Sequence, residues 1–252
     1  MVKGVDLFRE HFSSFPDHYV LIGGTACDLI MNNVGLSFRA TKDLDIVLCV
    51  EALDAAFATA FWQFVDAGQY QIQETATGEK KFYRFQKPAN ATYPAMLELF
   101  SRVPDALSIA DDSHLTPIPV DGEVSSLSAI LLDEDYYGWI HAGKQEVEGV
   151  RIVGPEHLVP LKAKAWLDLR ARKSAGHDID SKSIKKHRND VFRLFQVLDP
   201  EANLSPPVTI VNDMRDFLEQ ASTEEVDLKA LGLGTRSLTS VIGILKNLYH
   251  ID

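Results

Sequence analysis

The sequence predicts a mixed α+β domain followed by a helical one, and three observations carry that expectation. Short β-rich runs alternate with amphipathic helical stretches up to about residue 153. From Gly154-Pro155 onward only the 3.6-residue period remains. The chain has 252 residues, 46% hydrophobic and 24% charged, enough for one large domain or two modest ones with real cores. We therefore expect an α/β domain with a mixed sheet over residues 1–153 and a helical domain over 154–252.

Taken in order, Val5, Phe8, Phe12 and Phe15 stand at helical spacing, and HYVLI then reads as a strand ending at Gly23-Gly24. Ala26, Leu29 and Ile30 predict a helix that stops near Asn33 and Gly35, before a second strand in DLDIVLCV. Leu53, Ala56, Phe57, Ala60, Phe61 and Phe64 make an amphipathic helix. YQIQET, KFYRFQ and AMLELF are three β-rich runs with hairpin-like spacing. A strand-like or mixed stretch over about 116–153 ends in VRIVG and contains Tyr136, Tyr137 and Trp139, read as packing or surface groups. Helical stripes then cover 155–173, 181–198, 208–221 and 235–249, with Pro155 suited to a first helical turn.

Composition narrows the function classes. With 15 Gly and 11 Pro the chain is neither collagen-like, low-complexity nor disordered. A net charge of -11 gives no global field for a nucleic-acid backbone, so such a contact would need a local patch. Asp6, Arg9 and Glu10 interrupt any signal-peptide core, and no apolar run approaches the ~18 residues of a membrane span. A cytoplasmic protein without a membrane partner is expected. Cys27 and Cys49 lack companions at zinc-ligand spacing and read as buried thiols in a reducing compartment.

The densest chemical signal is VLIGGTACDLIMNNVGLSFRATKDLDIVL. In a strand, Asp43 and Asp45 project to one side while Leu44 and Ile46 enter the core. Two parallel carboxylates repel one another unless a hard cation such as Mg²⁺, with Mn²⁺ as an alternative, sits between them. Gly23 and Gly24 offer backbone amides without an intervening Cβ, and Thr25 adds a hydroxyl, all at a helix amino terminus that favours phosphate. Glu98 shares a strand face with Met96 and Phe100, and an adjacent strand would make it a third carboxylate. Such a trio can hold a metal-bound nucleoside triphosphate, with one carboxylate as base for in-line nucleotidyl transfer. Each part also has a plain alternative: a solvated strand face, an ordinary turn, and routine alternation at Glu98.

This pattern resembles the nucleotidyltransferase fold of the DNA polymerase β superfamily, and more closely its AbiEii-type branch, where a Gly-Gly-(Ser/Thr)-Ala turn precedes Arg-x-Thr-x-Asp-x-Asp. The matching residues are Gly23, Gly24, Thr25, Ala26, Arg39, Thr41, Asp43 and Asp45. The resemblance implies Asp43 and Asp45 as metal ligands, Gly24 and Thr25 as triphosphate holders, and Arg39 as part of the nucleotide site. Glu98 stands where many members of the superfamily carry Asp, and Thr25 replaces a more usual Ser.

Residues 155–198 hold ten Lys or Arg against five Asp or Glu, a local balance of +5 in an acidic chain. Lys162 falls within the apolar stripe of its helix, where an inward lysine needs a negative partner such as a triphosphate, or must snorkel to solvent. Asp190 lies at the edge of the next stripe and could pair with Lys186 at i, i+4. By resemblance, Lys162 and Asp190 match a Lys–Asp pair of the AbiEii-type families, bordered by Lys186, His187 and Arg188. The implied fold is a nucleotidyltransferase domain whose active-site cleft is closed by the helical domain. The implied activity is Mg²⁺-dependent transfer from NTP to a hydroxyl acceptor such as RNA or tRNA, in a type IV toxin-antitoxin system with a cognate antitoxin. Two other readings stay open: a catalytically degenerate nucleotide-binding or interaction protein of this fold, and a carboxylate metal site for phosphodiester hydrolysis.

Overall fold

A computed structural model describes residues 2–49, 51–72, 82–100 and 133–252. The expected β-rich residues 73–81 and the 116–132 part of the mixed stretch lie outside the described residues. The chain divides into two units, one formed by the described residues of Met1–Pro119 with Lys144–Gly154, the other by those of Val120–Gly143 with Pro155–Asp252.

The first unit is built on a mixed sheet. Its strands are β1 (Tyr19–Ile22), β2 (Asp43–Leu48), β3 (Gln71–Ile72), β4 (Phe82–Gln86), β5 (Met96–Phe100), β6 (Lys144–Val147) and β7 (Val150–Val153). Among the described residues their order is β3-β4-β5-β2-β1-β7-β6. The pairs β1–β7 and β2–β5 are parallel and the others antiparallel. Every residue of β1 is buried, which explains why it reads as an unbroken apolar run instead of alternating. The hairpin between β6 and β7 turns on Glu148 and Gly149, both at positive φ, the twist-matched arrangement for a two-residue connection.

Helix α1 (Val5–His11), helix α2 (Gly23–Asn33) and helix α3 (Ala55–Gly68) complete this unit. The aromatic stripe of α3 packs with α1 and the start of β1. Phe12 lies 5.7 Å from Phe57 and 5.4 Å from Phe64, and Phe8 stands edge-on to Tyr19 at 5.1 Å. Asp54 caps α3 by accepting from the Phe57 amide at 2.8 Å. Both cysteines are buried, and Lys144 Nζ donates to Cys49 Sγ at 2.9 Å. Burial pushes the Cys49 thiol up against the opposing pull of that ammonium.

The second unit is helical: α4 (Glu134–Ala142), α5 (Pro155–Ser174), α6 (Ser181–Leu194) with a 3-10 turn at Phe195–Val197, α7 (Val208–Ala221) and α8 (Leu238–Leu248). The Tyr136-Tyr137-Trp139 cluster lies on α4 with all three rings buried. Tyr136 donates to Asp213 Oδ2 at 2.9 Å while Lys164 meets Asp213 Oδ1 at 2.8 Å, joining α4, α5 and α7 through one carboxylate. Trp166 packs edge-on against Phe217 at 5.2 Å in the core of this unit. Among the described residues no helix is long and apolar enough to cross a membrane.

One hydrogen bond in this unit follows from sequence chemistry. Pro160 stands inside α5 and has no N–H for the carbonyl four residues earlier, that of Glu156. The fully buried Tyr249 supplies the donor instead, its hydroxyl 2.7 Å from the Glu156 carbonyl oxygen. Tyr249→Phe is therefore expected to cost about 1–2 kcal/mol in urea unfolding, the range for stripping a buried acceptor of its partner. In a Pro160→Ala background, where an amide can serve that carbonyl, the same substitution should cost measurably less.

Candidate functional site

The register of the sheet assembles a row of charged groups in the first unit. In the parallel pair β2–β5, Asp43 lies opposite Met96 and Asp45 opposite Glu98; in the antiparallel pair β4–β5, Arg84 lies opposite Glu98. Residues directly opposed share a sheet face, so Arg84, Glu98 and Asp45 stand side by side, with Asp43 two residues along the same face. Asp45 and Glu98 are 9% and 6% exposed, and Asp43 is half-buried. Arg84 donates from Nε at 2.9 Å and Nη2 at 2.8 Å, both to Glu98 Oε1.

Burial, and then the charge and hydrogen bond of Asp45, push the Glu98 carboxyl up to about 9, with Arg84 opposing. Burial and the opposed carboxyl thus favour a proton on this pair over two bare charges. Sequence reading missed Arg84, although KFYRFQ carried the signal: alternation puts Arg84 on one face with Gln86, as it puts Glu98 with Met96 and Phe100.

The glycine turn completes this arrangement. Helix α2 begins at Gly23, directly after β1, and Gly23 has φ +70. A Cβ there would lie 1.6 Å from Asp45 Oδ2, so glycine is required both by the backbone and by the carboxylate pressed against it. A Cβ on Gly24 would lie 2.5 Å from Thr41 Oγ1 and 3.5 Å from Arg39 Nη2. Asp45 therefore sits at the amino-terminal end of α2, where unpaired amides and the helix dipole favour negative charge. Thr25 is fully buried and donates to the Asp43 carbonyl at 2.6 Å, so its hydroxyl ties α2 to β2. Arg39 stands over the Phe38 ring at 5.0 Å and donates to the Ala40 carbonyl.

A cavity of about 430 Å³ opens beside Asp43, lined also by Lys3, Gln86, Lys87, Tyr93 and Met96. Lys87 holds a left-handed backbone at φ +52, uncommon for a residue with a side chain. Neither lysine belongs to a motif, which is why sequence reading passed over them. Among the described residues no three His, Cys, Asp or Glu side chains already converge as a cage for an ion. Mg²⁺ needs no such cage, since it binds through one or two carboxylates and keeps waters and phosphate oxygens as its other ligands. Asp45 and Glu98 are the opposed carboxyl groups that could fill that role once their proton is lost.

In the second unit Lys162 and Asp190 meet each other. Lys162 Nζ lies 3.6 Å from Asp190 Oδ2 with both side chains buried, so α5 and α6 are joined by an internal ion pair. Asp190 is fully buried, where an edge position was expected, and Arg193 Nη1 also reaches it at 3.4 Å. The partner that an inward Lys162 demands is provided by the chain itself. His187 and Arg188 are buried as well, so α6 is covered over more of its circumference than its apolar stripe implied.

No protein-family model and no curated protein matches this chain. Among solved structures it is similar to an antigenic nucleotidyltransferase-like protein from Paracoccidioides brasiliensis, at 15% identity and a TM-score of 0.45 over 94% of each chain. It is also similar to JHP933 from Helicobacter pylori, at 16% identity and a TM-score of 0.39 over 99% of this chain and 92% of that one.

Two measurements probe these groups. Between the ordinary carboxyl range and about 9, folded Glu98 holds a proton that the unfolded chain has released, so this group's contribution to stability falls as pH rises through that window. Urea unfolding in chelator should show that decline from about pH 5 to 9 in the wild type, and Glu98→Gln should flatten it. Lys162→Met leaves Asp190 buried without its lysine and is expected to cost about 3–5 kcal/mol, most of it recovered in Lys162→Met/Asp190→Leu.

Proposed function

We propose that this chain is a nucleotidyltransferase of the AbiEii-type branch, moving a nucleotidyl group from an NTP to a hydroxyl acceptor. The observation that carries this reading is the register of β2 and β5, which opposes Asp45 to Glu98 beside the first residue of α2. Asp43, Asp45 and Glu98 are the groups that would hold Mg²⁺ or Mn²⁺. When bound, the ion would neutralise phosphate charge and acidify the attacking hydroxyl. The first amides of α2, at Gly24 and Thr25, would hold phosphate oxygens in the field of the helix dipole, with Arg39 adding positive charge beside Gly24. A carboxylate of the set takes the proton of the acceptor hydroxyl as its oxygen forms a bond to the α-phosphorus. The bond from that phosphorus to the bridging oxygen breaks, and pyrophosphate leaves.

RNA, including tRNA, is the acceptor class we favour, because the basic excess of residues 155–198 gives an acidic chain a local route to a polyanion. The biological setting we propose is a type IV toxin-antitoxin system with a cognate antitoxin. One observation favours a second reading, nucleotide binding without turnover: Arg84 already gives Glu98 a cationic partner.

Incubation of α-labelled NTPs with cell-extract RNA and protein tests both readings. Label entering RNA with Mg²⁺, and lost with chelator or in folded Asp45→Asn, is the result expected for transfer. Mg²⁺-NTP binding without label would select the second reading. Absence of both, with all four NTPs, would overturn the nucleotide assignment.

A further inference from the structure

The second unit contains a cavity of about 400 Å³ at α5 and α6, within the ~300–1,000 Å³ range of small-molecule sites. Four cations line it: Arg170 and Lys173 from α5, Lys185 and Arg188 from α6. The acids in its lining are Glu224 and Glu225, which follow α7, so positive charge exceeds negative by two in a chain of net charge -11. Like charges gathered around a concave surface oppose one another unless an anion answers them.

The two guanidinium groups are fixed differently from the lysines. Arg170 stands over the Trp166 ring at 4.4 Å, and Arg188 is only 5% exposed. Glu224 bridges them, Oε1 accepting from Arg170 Nη1 and Oε2 from Arg188 Nη1. Two oxygens of one anionic group, each met by its own arginine, is an arrangement that phosphate also satisfies. Glu224 lies outside the helices with its side chain 29% exposed, whereas Arg188 is anchored in α6. The carboxylate is thus the member of the bridge that can be displaced.

We propose that this cavity binds a phosphate ester, and that Glu224 holds the arginine pair in place until the incoming phosphate displaces it. Lys173 and Lys185, both exposed at the cavity, meet the remaining charge of the ligand. The site does not depend on nucleotidyl transfer. The phosphate group is the recognised chemistry whether it arrives on a free nucleotide or within an RNA strand.

Calorimetric titration of the full chain tests this, using AMP as one probe and a ten-nucleotide single-stranded RNA as the other. Saturable binding of AMP identifies a free phosphate ester as the ligand, and binding of the RNA alone identifies the strand backbone; either supports the site when the cavity variants alter it. For the probe that binds, Lys173→Gln/Lys185→Gln should weaken affinity about tenfold, and Glu224→Gln should strengthen it severalfold by removing the competing carboxylate. Circular dichroism of each variant confirms folding. Failure of both probes to bind would overturn the proposal. So would unchanged affinity in the double lysine variant, or a folded Glu224→Gln with no gain.

Discussion

The parallel register of β2 against β5 is the constraint from which the first unit's chemistry follows. Opposing Asp45 to Glu98 places two carboxyl groups in a buried row, a combination stable only if a proton, an arginine or a cation stands between the charges. The chain supplies the second, since Arg84 approaches from β4, and burial of the pair favours the first. A slip of one residue between these strands would turn Asp45 and Glu98 to opposite faces and dissolve the site. The neighbouring parts defend that register. Thr25 ties α2 to the Asp43 carbonyl, and Gly23 leaves space for the Asp45 carboxylate that no other residue could leave.

The helical unit solves a comparable problem by pairing. Lys162 and Asp190 bring opposite charges into the α5–α6 contact, where each would be costly alone. Nearby, Arg170 and Arg188 share a single carboxylate, Glu224, in a more accessible setting. One pair is sealed and the other lies open to exchange. This difference in burial separates a bond that holds helices together from one that can yield to a ligand.

Periodicity made most of the architecture legible. The four helical stripes after Pro155, the apolar β1 and the Asp-x-Asp strand all correspond to observed elements, because each is governed by local alternation. The adjacency of Asp45 and Glu98 was a conditional inference, since alternation assigns a face but not a neighbouring strand. Arg84 escaped notice for the same reason: its importance lies in an antiparallel pairing with β5, which a single strand does not announce. Thr25 shows the converse. A hydroxyl beside two glycines suggests a ligand contact, yet the closer demand of the Asp43 carbonyl takes its proton. The helical stripe places Lys162 inward, while the anion it meets is a residue 28 positions later on another helix, which periodicity does not announce.

The bond from Tyr249 to the Glu156 carbonyl spans 93 residues of sequence. At roughly 5–20 residues per second of synthesis, the ribosome needs on the order of 5–20 s to cover that distance. Throughout that interval the first turns of α5 depend on water for the carbonyl that Pro160 leaves open. Helix α5 is therefore made well before the residue that completes its hydrogen bonding.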